Sequence, residues 1–437
     1  MRKLEYLKYL KNFKMKFTKN PKANEKIGKQ LKDICGVIIS EIPDVKSIML
    51  IGGFSRGEGP AKMKNGKMLL YNDYDIEVIT ENTLNKKKID DVASKAAEKI
   101  GLKGIKYFYS FKKEEQTLNK FFYIDLKCTS INQLKKLMPR LRYYELKNSS
   151  LILYGKDYRS LIPDYKLKNI PLSEPAKILL DRMSQMVEYY SAEKKYDGEV
   201  LTYIIQQAYA VCCTSLLMLS GKYKPGYEYC MKTFIKRYKK DFPDLHEKIP
   251  DLDAKVKKYI NWKLNPEKIP ENPEKAWFEC RNDIFKVSKY FFSKFLNKKI
   301  ENLDDLSNAI GKMKNKYCLP YMHNFIYNNF GIKSRLLSNI GIFFLPLFFK
   351  LKYFLRLKDI KITYPRVFLG KSPDLVIFSS VPYILLAINN NGSADREKMK
   401  RGIKILKKVY PARGKNWEQI SLDYANAYIS FFLQKII

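Results

Sequence analysis

The stretch Ile51-Gly52-Gly53-Phe54-Ser55-Arg56-Gly57-Glu58, followed by Asn72-Asp73-Tyr74-Asp75-Ile76-Glu77, constrains this chain more than any other. Val45 to Ile51 is an apolar, β-rich run closed by a Gly-Gly turn. The next strand opens with carboxylates two residues apart. Residues i and i+2 of a strand share a face, so Asp73 and Asp75 aim side by side at a point beside the turn. Carboxylates held that close repel unless a cation sits between them, and a divalent metal is the usual one. A glycine turn beside such a pair points to chemistry on a nucleoside triphosphate.

The surrounding pattern reads as alternating helices and strands. Ile27, Leu31, Ile34 and Ile38 predict a helix over 22–42, stopped by Pro43, and 88–100 predicts an amphipathic helix. Asn65-Gly66, flanked by Met63 and Met68, predicts a two-residue hairpin turn between the glycines and the acids. Strands are expected at Tyr74 to Thr80, Ile105 to Phe111 and Phe121 to Cys128. In the last of these, Phe122, Ile124, Leu126 and Cys128 face one way, and Tyr123, Asp125 and Lys127 the other. An Asp in so apolar a strand costs stability unless it is solvated or liganded, so Asp125 is a candidate third carboxylate. The bland alternative is a surface charge on an edge strand. Three carboxylates from adjacent strands suit a two-metal phosphoryl-type transfer. Glu77 continues the same strand face, which leaves an Asp75–Glu77 ligand frame as the alternative to Asp73–Asp75. The element order predicts a mixed sheet covered by helices on one side.

These motifs resemble the polymerase-β-type nucleotidyltransferase superfamily. Gly52-Gly53-Phe54-Ser55-Arg56-Gly57-Glu58 is similar to its GSxxRGE signature, Asn72-Asp73-Tyr74-Asp75 to its SDxD, and Asp125 to its later strand Asp. The resemblance implies an α+β chain: an N-terminal nucleotidyltransferase fold with a mixed β-sheet and helices, then a mainly α-helical C-terminal region. It implies Asp73, Asp75 and Asp125 as catalytic metal ligands, with Asp125 assisting deprotonation of an acceptor hydroxyl. Gly52, Gly53, Ser55 and Arg56 would bind the nucleotide. The cofactor would be Mg²⁺, two ions, with Mn²⁺ as a substitute. The reaction implied is transfer of a nucleoside monophosphate from an NTP, ATP first, to an unidentified acceptor with release of pyrophosphate. Gly53 departs from the commoner Ser and removes a hydroxyl contact to phosphate, and the hairpin lengthens the segment before the acids. Arg56 either pairs with Glu58 to shape the loop or touches a phosphate. Lys127 either reaches the triphosphate or is solvated.

Beyond Pro163 the pattern turns helical. Ser173-Glu174-Pro175 is a helix start, and helices are predicted at 174–190, 198–219, 273–298, 395–409 and 417–435. The Pro-rich stretch from Pro243 to Pro273 reads as a long connection, Leu375 to Ala387 as a β-like patch, and Asn391-Gly392 as a turn. Tyr189 and Tyr190 read as core rather than as base-stacking rings. The expected division is a basic N-terminal helix or arm (1–20), a catalytic domain (21–165), a helical domain (166–300) and a mixed, mostly helical remainder (301–437).

Composition narrows the partners. The chain carries 82 Lys plus Arg against 45 Asp plus Glu, a net +37. That excess favours a polyanion such as RNA as acceptor, although a compositional bias toward Lys, Ile, Asn and Tyr produces it equally well. No RRM-, KH- or zinc-type module is present. Seven cysteines without a C-x-x-C read as buried reduced thiols, hence a cytoplasmic location. His246 and His323 alone leave little for a His-based zinc site or a Ser-His triad, and both read as structural. Residues 1–20 lack the continuous apolar core of a signal peptide. Ile340 to Phe349, with Pro346 inside it, falls short of the roughly 20 residues of a transmembrane span. It is expected as a buried helix under the basic flank Lys350, Lys352, Arg356 and Lys358, with membrane-surface contact as the alternative. Two other functional readings remain beside nucleotidyl transfer. One is an inactive nucleotide- or nucleic-acid-binding relative; the other is a peripheral membrane enzyme acting on a lipid or glycan precursor.

Overall fold

The computed structural model describes residues 15–102, 124–191, 198–267, 269–313 and 335–432. The expected strand at Ile105 to Phe111, most of the basic arm, Cys318 and His323 lie outside the described residues.

Helix α1 (Pro21–Glu41) starts where expected because Asn20 accepts a hydrogen bond from the Ala23 amide and Pro21 opens the first turn. Its Ile27, Leu31, Ile34 and Ile38 are fully buried, and such burial contributes about 1.5–3 kcal/mol per side chain. Strand β1 (Val45–Ile51) follows, then the single turn α2 (Gly52–Ser55) and the hairpin β2 (Ala61–Lys64) and β3 (Lys67–Leu70). Asn65 and Gly66 both have positive φ, 51° and 74°, the geometry that selects Asn-Gly in a two-residue hairpin. Strand β4 (Tyr74–Thr80), helix α3 (Lys86–Lys99), strand β5 (Ile124–Ser130), the short α4 (Ile131–Leu134), helix α5 (Leu141–Ser149) and strand β6 (Leu151–Gly155) complete the N-terminal part.

The sheet order is β5-β4-β1-β6. Strand β1 runs antiparallel to β4 and β6, while β4 and β5 are parallel, so the sheet is mixed as expected. Ile48, Leu50, Ile76, Val78, Ile124 and Leu126 face α1 and α3 in one buried cluster. Alternation turns Met49, Ile51 and Ile79 to the opposite face, where Leu134, Leu137, Leu146 and Ile162 cover one end. The carboxylates of β4 and β5 occupy the rest of that face.

The remainder is helical: α6 (Ser173–Tyr189), α7 (Gly198–Leu219), α8 (Tyr227–Asp241), α9 (Pro243–Lys248), α10 (Leu252–Leu264), α11 (Pro273–Leu296), α12 (Leu303–Gly311), α13 (Arg335–Asp359), α14 (Pro373–Leu386), α15 (Arg396–Leu406) and α16 (Trp417–Phe432). One buried cluster runs from Ile170 to Phe431, across the boundary expected at residue 300. Helix α7 is long and apolar enough to cross a membrane by composition, but 89% of its apolar window is buried inside the protein. Tyr190 is fully buried, its ring stacked 4.0 Å from Trp277.

Three expectations are corrected. Pro243 to Pro273 is no long connection, because Pro243 occupies the first turn of α9 and Pro250 separates it from α10. A proline at that position starts a helix rather than breaking one. Leu375 to Ala387 is helical, not β-like. Helix α14 is apolar on all sides and packs against α6, α12, α15 and α16, so it shows no period in sequence. The run Ile340 to Phe349 is helical in α13, but none of its described side chains is buried. Ile340, Leu347, Leu351 and Leu355 form a row between 46% and 55% exposed. Among the cysteines, Cys35, Cys212, Cys213, Cys230 and Cys280 are buried free thiols, and Cys128 is half-buried.

Candidate active site

Strand β1 ends against the carboxylates because two glycines let it. Gly52 has φ +75°, and a Cβ there would lie 2.9 Å from Asp75 Oδ2. A Cβ on Gly53 would lie 3.3 Å from the Glu58 carbonyl oxygen, within the loop that the Glu58 amide closes on Gly53 O at 2.8 Å. Only glycine combines that φ with so close an approach.

Register sets the acids. Ile51 pairs with Asp75 across the antiparallel β1–β4 ladder, and Asp75 pairs with Asp125 across the parallel β4–β5 ladder. Neighbouring strands lie about 4.8 Å apart, so the turn, Asp75 and Asp125 form one row. Asp73 precedes β4 and stands at the mouth of the row. The structure thus brings together Asp73, Asp75 and Asp125 beside Gly52. Loss of water around Asp75 pushes its carboxyl up to about 7, and the Asp73 and Asp125 charges push the same way; Arg142 and Lys127 oppose them.

Arg142, on α5, is the residue that sequence reasoning missed. Its Nη1 lies 3.6 Å from Asp75 Oδ1 and 3.4 Å from Asp125 Oδ2, and its Nη2 lies 3.1 Å from Glu77 Oε2. Lys127 Nζ adds a contact of 3.0 Å to Asp125 Oδ2, so this lysine is paired rather than merely solvated. Glu77 is buried, and its other oxygen accepts a hydrogen bond from Thr129 Oγ1 at 2.5 Å. Both Glu77 oxygens are thereby engaged, which favours the Asp73–Asp75 frame over Asp75–Glu77. In sequence Arg142 is one of 82 cations, and nothing marks it out.

The loop residues hold the two halves of the chain together. Ser55 Oγ lies 2.8 Å from both Gly52 O and Ser149 O, so its hydroxyl braces the turn against α5. Arg56 pairs with Glu58 at 3.1 Å and with Glu145 at 3.4 Å, the loop-shaping arrangement. Glu58 reaches further: its carboxylate accepts the amides of Tyr227 and Glu228 at 2.9 and 3.0 Å. It therefore caps α8, in the helical half, at the end where an anion is favoured. Gln207 on α7 donates to Asn72 Oδ1 at 3.3 Å.

Between the sheet and the helical half lies a cavity of about 190 Å³, whose lining includes Gly52, Arg56, Asn72, Asp75, Arg182 and Tyr227. That is below the roughly 300 Å³ of a whole-ligand pocket, so the enclosed part is too small for a complete nucleotide. Arg182 Nε is buried there without a hydrogen-bond partner among the described residues. Behind Tyr227, Lys263 is fully buried with its Nζ 4.5 Å from the Tyr227 ring centroid and no hydrogen-bond partner among the described residues. Burial, then Arg182, pulls its ammonium down to about 7, with Arg56 acting the same way and Asp73 and Glu58 opposing.

The donor set fits one divalent cation. Asp73 and Asp75 are hard oxygen donors whose mutual repulsion a cation would relieve, and Mg²⁺ is commonly held by one or two carboxylates plus substrate phosphates. A second ion on Asp125 fits poorly, because Arg142 and Lys127 already neutralise its Oδ2. Among the described residues, no group of three or more His, Cys, Asp or Glu is arranged to hold a metal.

No family model and no curated protein matches this sequence. Among solved structures, the chain is similar to the spectinomycin adenyltransferase of Enterococcus faecialis, solved with ATP and spectinomycin. The identity is 15%, over 60% of this chain and 99% of that one, with a TM-score of 0.35. At that distance the site stands on its own geometry.

Proposed function

We propose that this chain transfers a nucleoside monophosphate from an NTP, with ATP as the first choice, to an acceptor hydroxyl or phosphate. The observation that carries this reading is the register of Asp75 with Asp125, with Asp73 at its mouth and Gly52 in contact. In the reaction, an acceptor oxygen attacks the α-phosphorus. The bond from that phosphorus to the bridging oxygen of the β-phosphate breaks, and pyrophosphate departs with the electron pair. Asp73 and Asp75 would hold one Mg²⁺ or Mn²⁺, which supplies charge neutralisation at the phosphates when bound. Gly52 and Gly53 leave room for the triphosphate at the turn, and Arg182 adds positive charge to the cavity wall. Asp125 takes the proton of an acceptor hydroxyl, and Arg142 keeps that carboxylate beside Asp75. The helical half supplies the acceptor site.

The test is incubation with each labelled NTP and Mg²⁺ or Mn²⁺, against total RNA, small acceptors and the protein itself. Transfer is expected, and Asp73→Ala and Asp75→Ala should each lower it on the order of 10³-fold or more, a loss of several kcal/mol of transition-state stabilisation. Activity that survives in the double variant would sink the assignment. One observation favours a second reading, a nucleotide-binding relative without transfer activity: Arg142 stands between Asp75 and Asp125. Tight NTP binding with no transfer to any acceptor would select it.

A further inference from the structure

A second concavity adjoins the first. The α7–α8 loop, the outer face of α8 and Tyr144 of α5 border an open groove of about 690 Å³. Its lining carries five cations and no acidic residue. Lys222 and Arg237 are tied to Asp241 at 2.5 and 3.0 Å, and Lys232 to Glu228 at 2.9 Å. Lys224 instead sets its Nζ 5.5 Å from the ring centroid of the exposed Tyr229, and Lys236 is exposed one turn beyond Lys232 on the same face of α8. Tyr223 lines both this groove and the cavity that contains Asp75. Its hydroxyl bonds to Glu145, which fixes it as the partition between them.

Cations spaced along a groove and interleaved with aromatic rings suit one ligand class. A single-stranded polynucleotide offers a repeating phosphate for each lysine and a π-face for each tyrosine. A compact phosphometabolite would leave most of the groove empty, and an acidic peptide would have no use for the rings. We propose that this groove binds a single-stranded polynucleotide, with phosphates on Lys224 and Lys236 and a base on Tyr229, and that it leads the terminal hydroxyl toward the cavity on the far side of Tyr223. The last clause rests on the nucleotidyl-transfer reading; the binding does not.

Fluorescence polarisation with labelled RNA and DNA oligonucleotides of about 12 nucleotides tests it, using the full chain at about 50 and 200 mM salt. Saturable binding that weakens with salt is expected. The Lys224→Glu/Lys236→Glu variant should lose affinity tenfold or more, and Tyr229→Ala roughly fivefold, the loss of about one base stack. Neither set lines the catalytic cavity, so ATP binding by calorimetry should be unchanged, which also reports correct folding. Equal affinity in parent and charge-reversed protein would overturn the proposal, because diffuse charge would then do the binding. Absence of binding at low salt, or equal competition by polyglutamate, would overturn it as well. A preference between the RNA and DNA arms identifies the natural strand. Oligonucleotide binding without nucleotidyl transfer would support the groove and refute the reaction, so the two failures are distinguishable.

Discussion

The Arg142 guanidinium spans Asp75 and Asp125, with Nη1 3.6 Å from one carboxylate and 3.4 Å from the other, and so joins two acids that strand register sets side by side. Its Nη2 also neutralises the buried Glu77. A cation that holds three carboxylates acts on stability and on site geometry together.

Arg142→Met should therefore be costly. Removing one partner of a buried ion pair leaves the other charge uncompensated, and about 3 kcal/mol of stability should be lost. Adding Glu77→Gln to that variant should restore part of it. Urea unfolding of the single and double variants checks the coupling; strictly additive losses would contradict it.

At Gly52 the prediction separates strain from chemistry. An alanine there adopts φ +75° at a cost of about 1–2 kcal/mol and presses its Cβ on Asp75 Oδ2. Nucleotidyl transfer should fall at least tenfold while the fold survives, as circular dichroism would show. Gly66→Ala, with a similar φ of +74° and no neighbour near its Cβ, is the control; it should cost stability and leave activity intact.

The Glu58 cap gives a third expectation. Glu58→Ala deletes two acceptors at the start of α8 and one of the two carboxylate partners of Arg56, for a loss of about 1–2 kcal/mol. Amide hydrogen exchange should rise first at Tyr227 and Glu228. Protection unchanged at both would show that the cap does not hold α8.

Lys263 sets a pH dependence. Its folded-state value, about 7, lies below the ordinary 10.5, so between these values the unfolded chain binds more protons than the folded one. Its contribution to stability therefore rises with pH from about 7 toward 10.5, and below 7 the buried ammonium carries its full cost. Arg182, Arg56, Asp73 and Glu58 are the charges that face it. Lys263→Met should flatten the rise in melting temperature between pH 7 and 9. An unchanged slope would mean that this lysine does not titrate there.

Local chemistry made parts of the molecule legible in advance. Asn20, Pro21 and the Ile27–Ile38 stripe announce α1, Asn65-Gly66 announces its hairpin, and alternation in β5 places Asp125 opposite Ile124 and Leu126. Long-range pairing was not legible in the same way. The motifs put Asp125 on a strand beside Asp75, but that the two pair residue for residue, or that Glu58 caps a helix 169 residues away, depends on tertiary packing that leaves no local pattern. Helix α14 escaped notice because burial on every side erases periodicity. The row on α13 is the opposite case, because its hydrophobicity does not entail burial.

That row bears on the protein as a colloid. Copies that each carry +37 repel one another in dilute salt, and the repulsion keeps Ile340, Leu347, Leu351 and Leu355 of one molecule from meeting those of the next. Near 1 M salt the screening length shrinks to about 3 Å, and the apolar rows are left to attract unopposed. Solubility should then drop as ionic strength climbs, and a mild non-ionic detergent should restore it.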